Sequence, residues 1–277
     1  MQKTININGR LMDLTSPRVM AIINVTTDSF ARHCTNITES EILRWAAEAL
    51  SEGADILDIG GCSTRPGSTA PSEEEEWHRV RLAASAIRRE WPEAILSVDT
   101  YRASVARRAV EEQGVSVIND ISGGQFDDKR FEVVAGMHVP YILTHTRALP
   151  ETMQQHTDYS DLMSEVLGYL QERVDTLHRM GVADIILDPG FGFAKTTEQN
   201  YELLRKLEYL KVLGLPILAG LSRKSMITRP LNISPDEALP GTIALQMLAL
   251  CNGANILRVH DVKEAKQLIT LYNHYAV

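Results

Sequence analysis

Several common signatures are missing from the 277 residues, and each absence removes a class of function. Cysteine is scarce: Cys34, Cys62 and Cys251 show no C-x-x-C spacing, and an odd count of three does not suggest a disulfide framework. A reducing, cytoplasmic setting is therefore expected. No apolar run approaches the ~20 residues that span a bilayer, and Met1 to Leu14 is polar and mixed, without the pattern of a signal peptide. Basic residues are outnumbered, with a formal net charge of −8, so a nucleic-acid surface is not expected. No dinucleotide G-x-G-x-x-G fingerprint occurs, and Gly220-Leu-Ser-Arg-Lys-Ser225 lacks the spacing of a P-loop. None of the eight histidines falls in an H-E-x-x-H pattern, which argues against a tightly held catalytic zinc.

What is present is a repeat. Eight short apolar runs, nearly continuous in Ile, Val and Leu as parallel strands buried on both faces should be, each end in a polar or charged residue. They are Met20–Val25 with Asn24, Ala54–Ile59 with Asp58, Ala94–Val98 with Asp99, and Val115–Ile118 with Asn119. Val139–Leu143 follows with His145, Asp184–Leu187 with Asp188, Pro216–Leu221 with Ser222, Arg223 and Lys224, and Ala254–Val259 with Arg258 and His260. The segments between them read as helices. Leu162, Val166, Leu170, Val174 and Leu177 make one apolar stripe at helical spacing. Ser72 and Glu75 have capping-box spacing, and Glu73 to Glu76 read as a solvated first turn. Gly53, Gly114, Gly181, Gly214 and Gly253 sit where helices should stop before the next strand. Eight β/α cycles in a chain of this length predict an α/β fold, a single (β/α)8 TIM barrel over residues 1–277, with the strand ends gathered at one mouth. Two long connections, Thr26 to Thr38 and Gly60 to Ser72, and an irregular stretch from Thr144 to Tyr159, belong to that active face.

Sorted by charge, the strand ends divide. Asp99, Asn119 and Asp188 offer two carboxylates and an amide, suited to a flat heterocycle bearing N–H donors, because a carboxylate accepts two parallel hydrogen bonds. Asp and Asn are also common turn formers at such positions. Phe191 and Phe193 offer apolar faces or a buried plug, and His145 reads equally as a core histidine. Arg65, Arg223, Lys224 and Arg258 are the candidates for a local basic pocket in an acidic protein. Arg258 and His260, two apart on the last strand, point to one side. With Asn24 they can clamp a diphosphate, directly or through a divalent cation that Asn24 helps to hold.

The motifs Asn24-Val-Thr-Thr-Asp-Ser-Phe30, Gly60-Gly-Cys-Ser-Thr-Arg-Pro-Gly67, Ser97-Val-Asp-Thr100, Ile118-Asn-Asp120, Leu187-Asp-Pro-Gly-Phe-Gly-Phe193, Ser222-Arg-Lys-Ser225 and Arg258-Val-His-Asp-Val262 resemble, in order, those of the dihydropteroate synthases. The resemblance runs from about Met20 to Val262. It implies transfer of the C9 carbon of a dihydropterin-CH2-diphosphate to the amine of p-aminobenzoate, giving dihydropteroate and diphosphate. Asp99, Asn119, Asp188 and Lys224 would hold the pterin, and Asn24, Arg65, Arg258 and His260 the diphosphate with Mg2+, Asn24 being the protein's metal ligand. Phe30, Thr64, Pro66, Phe193 and Ser222 would form the p-aminobenzoate site. Asp99, Lys224, Arg258 and His260 are the expected catalytic set, and a homodimer built on outer helices is implied.

The chain departs from the family pattern in four places. Thr27 replaces a proline, Ala31 to Cys34 replaces a Ser-Asp-Gly-Gly-like stretch, Thr144-His-Thr146 replaces Met-His-Met, and Ala194 replaces a glycine. Such changes are expected to alter the handling of p-aminobenzoate or of sulfonamide analogues. Two other readings share the barrel: a pterin-binding domain that passes methyl from a reduced folate to a corrinoid protein, and a pterin-binding paralogue without catalysis. The first has no evident use for Arg65, Lys224 and the Arg258–His260 pair.

Overall fold

The computed structural model describes residues 2–26, 37–63 and 70–276. It opens with an antiparallel hairpin, β1 (Thr4–Ile7) and β2 (Arg10–Asp13). At its turn, Asn8 and Gly9 both have positive φ, 51° and 82°, the geometry that makes Asn-Gly a preferred two-residue hairpin loop. The barrel strands follow: β3 (Arg18–Asn24), β4 (Ile56–Gly60), β5 (Leu96–Asp99), β6 (Val117–Asp120), β7 (Tyr141–Thr144), β8 (Ile185–Asp188), β9 (Leu218–Ala219) and β10 (Ile256–Val259). All pair in parallel, in the order β8-β7-β6-β5-β4-β3-β10-β9. A single bridge from Leu187 to Ile217 closes the ring, with the Leu187 N–H donating to the Pro216 carbonyl at 2.8 Å. The result is a (β/α)8 barrel, as the repeat predicts.

Surrounding it are α1 (Glu39–Ser51), α2 (Glu73–Glu90), α3 (Ala103–Gln113), α4 (Arg130–Met137), α5 (Leu162–Arg179), α6 (Thr197–Arg205), α7 (Ser225–Leu231), α8 (Leu239–Cys251) and α9 (Val262–Tyr275). The α5 stripe from Leu162 to Leu177 is buried as expected. The five predicted stop glycines all have φ between 63° and 101°, which L residues adopt at a cost. At the start of α2, Ser72 accepts from the Glu75 N–H at 3.2 Å. Glu76 departs from the solvated reading of its run: it is fully buried and ion-paired to Arg102, beneath the backbone of Gly61. One turn of helix turns the fourth carboxylate inward, and Arg102 compensates its burial.

Side-chain alternation along the strands builds the site. Residues such as Ala21, Leu57, Ile118 and Leu257 face outward into the helix layer. Met20, Ile56, Val117, Ile142, Ile186, Leu218 and Ile256 face inward near the strand starts, where Ile5, Ile7 and Leu14 of the N-terminal segment seal the floor. Two residues further along five of these strands, at the period of 2, the same inner face becomes polar at Asp58, Asn119, Thr144, Asp188 and Arg258. An apolar floor beneath a polar mouth is therefore written into the strands themselves.

Candidate active site

The mouth is organised around Arg258. Its Nε donates to Asp58 Oδ2 and its Nη2 to Asp99 Oδ2, both at 2.6 Å. Asn119 Nδ2 donates to the same Asp58 oxygen at 2.9 Å. Four strands, β4, β5, β6 and β10, are thus joined by one hydrogen-bonded group. The division by charge is crossed at this point, because Arg258 lies in ion pairs with two carboxylates and is not a free anion clamp. Burial alone would lower the Arg258 pKa, but the two carboxylates outweigh it and hold the guanidinium charged. Burial pushes Asp99 up to about 7, with Arg258 opposing the rise and Asp58 adding to it.

Asp58 was visible only as one strand ending among eight, with no role attached. Its partners lie 61 and 200 residues away, so no local pattern marks it. The neighbouring Asn119 and Asp120 show how alternation splits a motif. Asn119 faces the mouth, whereas Asp120 faces outward, where it accepts from Tyr141 and from Ser122 and lies 3.3 Å from the fully buried Arg130. Half of that motif is structural.

On the opposite wall, Asp188 Oδ1 accepts from the Gly190 N–H at 2.8 Å. Burial raises the Asp188 pKa, and Lys224 is the first influence opposing it. Lys224 donates to the Phe191 carbonyl, and its Nζ stands 5.1 Å from the centroid of the Phe193 ring. Burial lowers its pKa to about 8 against the pull of Asp188. Phe191 is wholly in the barrel core, while Phe193 packs at the mouth beside Ile121 and Met153. One phenylalanine is therefore a plug and the other a wall.

Ser222 Oγ and His260 Nδ1 are 2.9 Å apart, which ties the loop after β9 to the end of β10. Arg223, expected as part of a basic pocket, is instead engaged by Asp261, with Nε–Oδ2 at 3.1 Å, and its backbone is left-handed at φ 57°. Asn24, half-buried at the end of β3, places Oδ1 2.9 Å from where a Cβ on Gly60 would stand. Any side chain at position 60 would displace that amide. Phe30, Thr64, Arg65 and Pro66, together with Thr27 and Ala31 to Cys34, lie outside the described residues.

A second buried group supports this wall. Lys195 Nζ lies 2.9 Å from His145 Nδ1 and donates to the Gly190 and Phe193 carbonyls, each at 3.1 Å. Burial lowers Lys195 to about 7, and burial, then the nearby Lys195, keeps His145 well below its usual value. His145 is thus a satisfied core histidine. No sequence pattern marks Lys195, because a lysine after a Phe-Ala dipeptide looks like any surface lysine. Ala194, in place of glycine, is held at φ 49°, a conformation costing an L residue roughly 1–2 kcal/mol.

Four buried polar atoms of the inner face have no hydrogen-bond partner: Asp58 Oδ1, Ser97 Oγ, Asp99 Oδ1 and Thr144 Oγ1. Buried polar atoms are normally paired, so their concentration on one surface marks where a polar ligand belongs. Among the described residues no cluster of three or more His, Cys, Asp or Glu can hold a metal. No helix among them is long and apolar enough to cross a membrane.

Comparison with known proteins identifies the family. Residues 20–260 match the family model described as pterin binding enzyme. The dihydropteroate synthase of Escherichia coli K12 is 40% identical over 258 residues, 92% of this chain and 90% of that protein. The Yersinia pestis dihydropteroate synthase, solved as a sulfonamide drug complex, superimposes with a TM-score of 0.93 at 37% identity, covering 99% of this chain and 98% of that one. The Xanthomonas albilineans enzyme, solved with 4-aminobenzoic acid, gives 0.91 at 36% identity, covering 100% and 99%. The chain belongs to the pterin-binding enzyme family and, within it, to the dihydropteroate synthases.

Proposed function

We propose the following residue roles for the reaction of this transferase of folate biosynthesis, the joining of a dihydropterin-CH2-diphosphate to p-aminobenzoate with loss of diphosphate. The observation that carries them is the convergence of Asp99, Asn119, Asp188, Lys224 and Arg258 on one barrel mouth lined with unpartnered polar atoms. Asp188 and Asn119 hold the pterin edge. Lys224 sits beside Asp188 and Phe193, where its ammonium can donate to a ring acceptor. Asp99 keeps Oδ1 free while Arg258 holds Oδ2, so the carboxylate faces the reacting methylene in a fixed orientation. If C–O cleavage runs ahead of amine attack, positive charge develops on that methylene, and an ionised Asp99 stabilises it electrostatically. No covalent attachment to the protein is required.

The diphosphate falls to His260 and Arg258 from β10, with Arg65 from the second loop. Arg258 therefore has a double role, orienting Asp99 and facing the leaving group. Mg2+ prefers oxygen ligands and is commonly held by one or two protein groups together with substrate phosphates. The amide oxygen of Asn24, in the space left by Gly60, fits that requirement. Bound there with the diphosphate, Mg2+ would neutralise charge on the leaving group. p-Aminobenzoate belongs beside Phe193 and Ser222, closed over by the loops that carry Phe30, Thr64 and Pro66. Ser222 lies 2.9 Å from His260, which supports a p-aminobenzoate site beside the diphosphate site, as attack of the amine on the methylene requires.

The 4-aminobenzoic acid and sulfonamide in the related structures extend to this chain as expected ligands of that site. The scarcity of cysteine supports a reducing, cytoplasmic setting, and the single barrel supports residues 1–277 as one domain. The reading is tested by incubating the protein with the pterin diphosphate and Mg2+, with and without p-aminobenzoate. Amine-dependent diphosphate release with dihydropteroate as product is expected; pterin binding without turnover would support the non-catalytic paralogue instead.

A further inference from the structure

Thr144 is the last residue of β7 and pairs in register with Asp188 on β8. Ile142, two residues earlier, belongs to the apolar floor of the barrel, so alternation turns Thr144 into the mouth. It is 1% exposed, and its Oγ1 has no partner. Thr146, two residues on, differs: its hydroxyl donates to the Ala148 carbonyl at 2.9 Å. One of the two threonines of this stretch is satisfied within the protein, and the other is aimed at the pocket.

We infer that Thr144 is a specificity-determining residue of the heterocycle subsite, its hydroxyl donating to the ring acceptor that flanks the N–H groups read by Asp188. The inference rests on the placement of the pterin against Asp188. A 2-amino-4-oxo pyrimidine edge presents an amino group and a ring N–H side by side. Those two donors suit a carboxylate, and they are flanked by a ring nitrogen on one side and a carbonyl oxygen on the other. A hydroxyl beside the carboxylate meets one of these acceptors once the entering ring uncovers it, and nothing in the protein competes for it.

An unpaired buried hydroxyl destabilises the free protein and becomes favourable only when a ligand satisfies it. Stability and ligand affinity should therefore respond in opposite directions when it is removed, which a purely structural threonine would not show. A site built to pair with a ligand's polar group also rejects analogues lacking that group. Thr144 thus narrows the range of heterocycles accepted, whereas an apolar side chain at this position would tolerate them.

The test compares wild type with Thr144→Val, Thr144→Ser and Asp188→Ala, using calorimetric titration with the pterin diphosphate plus Mg2+ and thermal melts of the unliganded proteins. Thr144→Val, nearly isosteric, is expected to bind roughly five- to twentyfold more weakly, the worth of one hydrogen bond, while its melting temperature rises. Thr144→Ser should stay within about twofold of wild type, as retention of the hydroxyl requires. Undiminished binding by Thr144→Val, with Asp188→Ala strongly impaired, would overturn the role of Thr144 and leave the pterin placement standing. Unimpaired binding by Asp188→Ala would overturn the placement itself, and the inference with it.

Discussion

At the scale of single residues, the proposed roles make two titrations decisive. In those roles Asp99, pushed up to about 7 by burial, has to be ionised to stabilise positive charge, and Lys224, lowered to about 8 by burial, has to be protonated to donate. The first requirement is met as pH rises through about 7 and the second is lost as pH rises through about 8, so kcat/KM should be bell-shaped with a narrow top between them. Steady-state rates from pH 5 to 10 check this. In Lys224→Arg, whose guanidinium stays charged throughout, the alkaline limb should vanish while the acid limb remains. An unmoved alkaline limb would mean that another group titrates there. The sequence made Asp99, Asn119, Asp188, Lys224 and Arg258 legible because each terminates an apolar run. It did not disclose that Arg258 binds Asp58 and Asp99, since sorting residues by sign assumes that opposite charges serve separate ligands. Lys195 was equally hidden, because its burial depends on a turn whose shape no short pattern specifies.

Among the described elements, the loop after β9 is held in place by residues outside it. It carries Ser222 and Lys224 on either side of Arg223, whose left-handed backbone is disfavoured. The contacts that hold it include Arg223 to Asp261, the Arg223 N–H to Thr242 Oγ1 at 3.1 Å, and Ser222 to His260. The Arg223–Asp261 pair is partly solvent-exposed, so its contribution to folding should be small, about 1 kcal/mol or less. Its contribution to placement should be larger. Asp261→Ala is expected to raise KM for the pterin diphosphate about tenfold, as the displacement of positioned groups by small distances does, with little change in melting temperature. Exchanging the two residues, Arg223→Asp with Asp261→Arg, should recover part of the loss. Helices and their stops were well marked by apolar stripes and glycines. The hairpin of β1 and β2 is marked by Asn8-Gly9 after the alternating Ile5 and Ile7, but its polar, mixed composition does not signal a strand pair outside the eightfold repeat. The apolar run at β9 extends from Pro216 to Leu221, yet only Leu218–Ala219 keeps strand pairing before the chain turns into the site.

For the whole molecule, the barrel and its mouth follow from the eightfold repeat, and assembly follows from what the helices leave uncovered. α8 is apolar around most of its circumference, exposing Ala244, Leu248 and Cys251 at helical spacing, and the adjacent α9 exposes Leu271 at 66% and Tyr275 at 72%. Exposed apolar side chains of this kind suit an interface, and the expected homodimer would use them. Light scattering during size exclusion should find a dimer for the wild type and a monomer for Leu248→Glu combined with Leu271→Glu. The most direct measurement of the central claim is diphosphate release by wild type and by Asp188→Ala, each with Mg2+ and the pterin diphosphate, with and without p-aminobenzoate. The account predicts release and dihydropteroate only with the amine in the wild type, and loss of nearly all turnover in a folded Asp188→Ala protein. Amine-dependent turnover that survives Asp188→Ala would contradict it.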